Sequence, residues 1–229
     1  MHSPVITRRR APLRGAGAVL ALALLVPVAA SGDVAKQAMQ VQLLSPAISA
    51  DGKQVAIASL DPGGEAGASG SLALFDGAGA LKRRIALFAP ARDPERARKS
   101  YAQAAKILED GAFRRMGRVK RNSERTALRR APADPPPSFQ GVFSQGDFGF
   151  TINVADGKAR LEAMKGSRRL GTWSLRLGKE APCGDVAGYS ISPTRAGFEA
   201  ERRVFAFSVY AETNAGDVCF SHDYVVAMK

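Results

Sequence analysis

Histidine and cysteine are nearly missing from this chain. Its 229 residues hold two of each and a single tryptophan. One histidine, His2, lies at the extreme N-terminus, so His222 alone serves the body of the chain. That is too little imidazole for the usual zinc sites. Cys183 and Cys219 are not spaced as CxxC, the pattern of redox and zinc pairs. After residue 31 no apolar run approaches the ~20 residues needed to cross a bilayer core. N-x-S/T sequons are absent as well.

The common catalytic groupings are also lacking. Gly63-Gly64-Glu65-Ala66-Gly67 is not followed by the Gly-Lys-Ser/Thr of a phosphate loop. Asp147-Phe148-Gly149 has neither an H-R-D loop nor a Gly-rich loop before a strand lysine to accompany it. Ser221-His222-Asp223 spells out a triad in a row. Neighbours on a strand point to opposite faces, however, whereas a triad must converge in space. His222 reads instead as a packed histidine on one strand face with Val218, Phe220, Tyr224 and Val226. No catalytic residue, metal ligand or cofactor motif is assigned.

The leader, by contrast, is explicit. Arg8, Arg9, Arg10 and Arg14 precede the uncharged run from Gly15 to Ala30, which ends in Pro27, Ala29 and Ala30. A basic start, a short apolar stretch and a small-residue end define a secretory signal peptide over residues 1–30. The expectation is export to the periplasm or beyond, with the general and twin-arginine routes both open. In an oxidising compartment, an even pair of cysteines reads as one disulfide, Cys183–Cys219.

The formal net charge is +12, and four of those charges leave with the leader. What remains is concentrated: residues 82–130 carry sixteen Lys/Arg against five Asp/Glu. Within that segment Asp93, Pro94 and Glu95 form a helix start. Ala97, Tyr101, Ala104, Ala105 and Leu108 then recur at helical spacing, and Gly111 marks the stop. Beyond the helix, basic residues from Arg114 to Arg130 are interleaved with Phe113, Met116 and Val119. The tail of this stretch, poor in apolar residues and ending in Ala133-Asp134-Pro135-Pro136-Pro137, reads as a flexible and then extended linker. Lys82, Arg83, Arg84, Arg114, Arg115, Arg118, Lys120 and Arg121 are the candidate contacts for a polyanion such as lipopolysaccharide or anionic lipid.

Both flanks of the basic segment have the alternation of strands. On the N-terminal side these are residues 54–60, 71–75 and 81–88. On the C-terminal side they are 148–154, 159–164, 170–177, 203–210 and 217–228. Residues 45–85 resemble one repeat of the Tol-type periplasmic β-propellers. The likeness rests on Ser49, Asp51, Gly52, Lys53, Val55, Ala56, Ile57 and Ser59, then Leu72, Leu74, Phe75, Asp76 and Gly79. It implies an interaction platform and no catalytic residue. A propeller needs several blades of ~40 residues, and no second copy is present. The expected fold is therefore mainly antiparallel β with one inserted amphipathic helix, not a complete propeller.

The expected layout is a signal peptide (1–30), a β-hairpin region (31–90), a basic helix and Pro-rich linker (91–137) and a C-terminal β region (138–229). The hairpins at 54–75 and 203–228 have matching designs, which opens the prospect that they pair in one sheet. The functional expectation is an exported, non-catalytic binding or structural envelope protein. A hydrolase with a carboxylate-based site and a polyanion binder acting through residues 82–130 are the alternatives. Partners expected are an envelope protein or an anionic surface; the chain carries no nucleic-acid motif.

Overall fold

The computed structural model describes residues 32–60, 68–90, 92–129, 134–155, 157–177, 186–213 and 218–228. The leader and Cys183 lie outside these residues, as does the loop 61–67; of Cys219 only the backbone is described. The expected Cys183–Cys219 bridge therefore falls outside what the structure describes.

Helix α1 (Gly32–Leu44) leads into β1 (Ala47–Ile48), β2 (Gln54–Leu60), β3 (Ala68–Asp76) and β4 (Leu81–Phe88). Helix α2 (Pro94–Asp110) follows, then β5 (Arg114–Arg115), β6 (Gly117–Arg118) and β7 (Lys120–Ala127). A meander of β8 (Ser138–Gln145), β9 (Phe148–Ala155), β10 (Lys158–Lys165) and β11 (Arg168–Arg176) comes next. The chain ends with β12 (Gly188–Ser190), a 3-10 turn at Pro193–Arg195, β13 (Gly197–Glu199), β14 (Val204–Glu212) and β15 (Val218–Ala227).

These strands form three antiparallel sheets. The first has the order β4-β3-β2-β1-β5, and the outer one β11-β10-β9-β8-β7. In the middle sheet β14 pairs with β15 along nearly its whole length. Its other edge takes β12 at one end and β13 at the other, and β6 extends the sheet beyond β13. The fold is mainly β, and the described strands do not close into a barrel or a propeller.

Alternation along the strands explains how the layers stack. In the first sheet Ala56, Ala58, Leu72, Leu74, Ile85 and Leu87 pack under Val34, Ala38 and Val41 of α1 and under Ala97, Tyr101, Ala104 and Leu108 of α2. The alternate residues Val55, Ile57, Ala73 and Phe75 meet Val204, Ala206 and Val225 of the middle sheet. The middle sheet's other face presents Phe205, Phe207, Val209 and Ala211 to Phe139, Phe143, Phe150, Ile152 and Leu161 of the outer sheet. Phe150 stands at the centre of that contact, with its ring centroid 4.3 Å from Phe205 and 4.9 Å from Phe198. The layers run helices, first sheet, middle sheet, outer sheet.

Helix α2 forms as its sequence requires. The Asp93 side chain accepts a hydrogen bond from the Arg96 amide, Pro94 opens the first turn, and the Gly111 amide closes on the Ile107 carbonyl. Three expectations are corrected. As far as residue 129 the stretch after α2 is not a flexible linker. Its strands β5, β6 and β7 enter the first, middle and outer sheets in turn, so it stitches all three sheets together. The hairpins β2–β3 and β14–β15 do not pair edge to edge; they stack face to face, because each needs its apolar face covered. The region from residue 31 opens with a second helix, α1, anchored through Val34, Ala38 and Val41 at helical spacing.

Candidate functional site

Two places gather chemistry. The first lies between the first and middle sheets. Along each strand there, the facing residues change from apolar to polar: Val55 and Ile57 give way to Ser59 on β2, and Ala73 to Ser71 on β3. On β14 Val204 and Ala206 give way to Ser208 and Tyr210, and on β15 Val225 gives way to Asp223 and Ser221. Asp223 sits at the middle of this polar end with its side chain fully shielded from solvent. Ser208 Oγ donates to its Oδ1 at 2.8 Å and Ser59 Oγ to its Oδ2 at 3.1 Å. Arg84, on β4, sends Nη1 to Ser71 Oγ at 2.9 Å and holds Nη2 3.6 Å from Asp223 Oδ2.

Burial pushes the Asp223 carboxyl above the usual carboxylate range, against the opposing pull of Ser208, Arg84, Ser59 and Arg195. Burial likewise raises the Tyr210 phenol. Arg195, from the 3-10 turn, reaches across the layers to donate to the Ala58 carbonyl at 2.7 Å and to Gln42 of α1. Every carboxylate oxygen at this centre is engaged by protein groups, so the cluster is built to join two sheets.

A glycosidase-type carboxylate pair needs about 5–9.5 Å between its members. The buried carboxylates among the described residues are Glu199 and Asp223. Their ladder partners on β14, Val204 and Ser208, are four residues apart, which is about 13 Å along a strand. Glu199 is moreover held by Arg114 at 2.8 Å. His222 pairs with Val209 on the opposite face of β15 from Asp223, so the Ser221-His222-Asp223 run does not converge. No group of three potential metal ligands occurs among the described residues.

The second place is the outward face of the outer sheet. The described residues place no layer against this face, and its side chains are exposed or half-buried. The register sets Arg125, Gln140, Asn153, Arg160 and Ser174 side by side across β7, β8, β9, β10 and β11. Gln140 Nε2 donates to Asn153 Oδ1 at 2.9 Å. Arg125, Gln140 and Asn153, with the small residues Ala127, Ser138 and Ala155, line a cleft of about 360 Å³. Lys158, Arg169 and Arg176 add cations on the same sheet, while Glu162 is paired with Arg169 at 3.2 Å.

The eight basic residues singled out in the sequence do not assemble into one surface. Lys82 pairs with Asp76 at 2.9 Å, Arg84 faces Asp223, Arg114 holds Glu199, and Arg121 pairs with Glu124. Arg83 and Arg115 stand at the same level of the first sheet, linked through Leu74, Ala56 and Ala47, but on opposite edges. Four strand spacings separate them, about 19 Å. Arg115 donates to the Thr194 carbonyl at 3.5 Å, and its guanidinium is lowered from the usual range by burial and by the neighbouring Arg118 and Arg195. Arg118 and Lys120 are exposed on β6 and β7.

Arg125, Gln140, Asn153 and Arg160 escaped the sequence reading because they come from four strands and meet only through register. Alternation of β9, with Phe150, Ile152 and Val154 inward, was the one signal that placed Asn153 outward. Compared with known proteins, the chain matches no family model, and neither a curated protein nor a solved structure shows significant similarity to it.

Proposed function

We propose that this chain is an exported, non-catalytic binding protein of the cell envelope that meets an anionic partner on the outward face of its outer sheet. The observation that carries this reading is that face itself: a five-stranded surface that the described residues leave uncovered, bearing Arg125, Lys158, Arg160, Arg169 and Arg176 around Glu162. Cations gathered on one open surface raise the local concentration of anionic ligands. The leader supports delivery to the envelope, and among the described residues no helix is long and apolar enough to cross a membrane. The separation of Glu199 from Asp223 weighs against the hydrolase alternative.

The test is binding of the mature chain to lipopolysaccharide and to heparin at increasing salt. Binding that weakens steeply with salt, and is lost when Arg125, Arg160 and Arg176 are changed together to Gln, supports the reading. Binding that survives that triple change, or no binding to either polyanion at low salt, overturns it.

A further inference from the structure

Resting on that reading of the open face, we infer that the row Arg125–Gln140–Asn153–Arg160 is a subsite for an acidic polysaccharide chain laid across the strands. The row alternates chemistry in a way that a plain charge patch does not. Two guanidinium groups stand three strand spacings apart, about 14 Å, and two amides lie between them. A guanidinium only donates, and its planar fork matches a carboxylate, sulfate or phosphate. The amides are different. With Gln140 Nε2 donating to Asn153 Oδ1, the pair still carries one further acceptor, the Gln140 carbonyl oxygen, and one further donor group, the Asn153 amide, on this exposed row. That pairing suits hydroxyls, which donate and accept together.

The ligand that presents anions at intervals with hydroxyls between them is a chain of acidic sugars. Other anionic polymers fit less well. The described side chains of this face include no aromatic ring, since Phe139, Phe143 and Phe150 all turn inward. Nucleobases therefore have no stacking platform. Its larger described apolar members, Val142 and Met164, lie on different strands with Thr151 and Gly149 of β9 between them, so acyl chains find no continuous patch. A shallow, open depression beside Arg125 is floored by Ala127, Ser138 and Ala155, leaving room for a chain to lie against the row.

The experiment compares binding of the mature chain to polygalacturonate and to inorganic polyphosphate of similar charge, by calorimetry at one low salt concentration. The polyuronate is expected to bind more tightly. Changing Gln140 and Asn153 together to Ala is expected to weaken it about tenfold, the worth of one to two hydrogen bonds, and to leave polyphosphate binding unchanged. Equal affinity for the two polymers, or a double variant that loses neither or both alike, overturns the subsite and leaves the cationic face standing. Loss of both polymers on changing Lys158, Arg169 and Arg176 to Gln, with the double Ala variant binding normally, also assigns binding to the general face and overturns the subsite. Failure of the wild-type chain to bind either polymer removes both readings. Unchanged thermal stability of the double Ala variant checks that its surface substitutions leave the fold intact.

Discussion

Arg84 and Asp223 join two different sheets: the guanidinium from edge strand β4 stands 3.6 Å from a carboxylate of β15 that has no contact with solvent. The pair closes the polar end of an interface whose other end is purely apolar. Its two halves are unequal, since Arg84 keeps 38% of its side chain exposed and Asp223 keeps none. Removing the arginine leaves a buried carboxylate with its two serine hydrogen bonds and the field of Arg195. Arg84→Met is expected to destabilise the fold by about 1–3 kcal/mol, the range for a buried polar group deprived of a partner. Arg84→Met combined with Asp223→Asn is expected to recover most of that loss. Denaturant titration of the four-member cycle measures the coupling.

The same carboxyl gives a pH signature. Burial holds Asp223 above its unfolded value of about 3.9, so the folded chain binds this proton more tightly than the unfolded chain does. Its contribution to stability is therefore greatest at low pH and declines as pH rises through the folded value. Asp51, Asp76 and Glu95 are shifted the other way by their hydrogen bonds and act in the opposite sense as pH falls. The difference between wild type and Asp223→Asn isolates the buried group. Asn keeps an acceptor for Ser208 and a donor for Ser59, so the variant is expected to gain on wild type as pH rises from 4 towards 8. The gain is about 1.4 kcal/mol for each unit by which the carboxyl is raised. A difference that stays flat across that range, followed by urea unfolding, counts against the assignment.

Phe150 tests the contact between the middle and outer sheets. Its ring stacks on Phe205 at 4.3 Å and meets Phe198 at 4.9 Å, fully buried. Phe150→Ala is expected to cost about 3–5 kcal/mol. Phe150→Leu, which retains most of the volume, is expected to cost less than half of that by the same measurement.

Gly79 turns the chain between β3 and β4 with a positive φ of 94°. A Cβ at that position would collide with the Val225 carbonyl oxygen of β15, so the turn presses directly on the middle sheet. Two penalties coincide, backbone strain and backbone overlap. Gly79→Ala is expected to lower stability by at least about 1 kcal/mol, seen as a lower melting temperature. Gly166, also at positive φ but with open space around it, is expected to suffer less from the same change.

How far these features were legible differs by element. Helix α2 was written out locally, from Asp93 to Gly111, because caps and helical periodicity are properties of neighbouring residues. Strand β7 was not: Lys-Arg-Asn-Ser-Glu-Arg-Thr-Ala has no apolar alternation, and all eight residues are exposed. It is a strand because β8 offers it an edge to pair with. Strands β2 and β14 are buried on both faces, so their near-continuous apolar runs marked them as strands but did not say which layer each face meets. The Arg125–Gln140–Asn153–Arg160 row is legible only once four registers are known.

The placement of basic residues leads to a last prediction. Lys82 and Arg83 lie on edge strand β4, Arg114 and Arg115 on β5, Arg118 on β6, Lys120, Arg121 and Arg125 on β7, and Arg168, Arg169 and Arg176 on β11. Each of these strands ends a sheet, and a sheet edge presents unpaired backbone groups to any other chain. Charge of one sign along such an edge makes pairing between copies costly. Part of the Lys and Arg concentration in residues 82–130 thus lies on sheet edges, where it opposes edge pairing without any ligand. Lys82→Thr with Arg83→Thr removes two charges from β4 while keeping residues suited to strands. The double change is expected to shift stability by no more than about 0.5 kcal/mol, as surface substitutions do, yet to increase self-association measured by light scattering at high protein concentration. Adding a lysine back at the exposed Leu81 is expected to reverse it, which loss of folding stability would not. Unchanged scattering in the double variant would show that β4 is protected by something other than its charge.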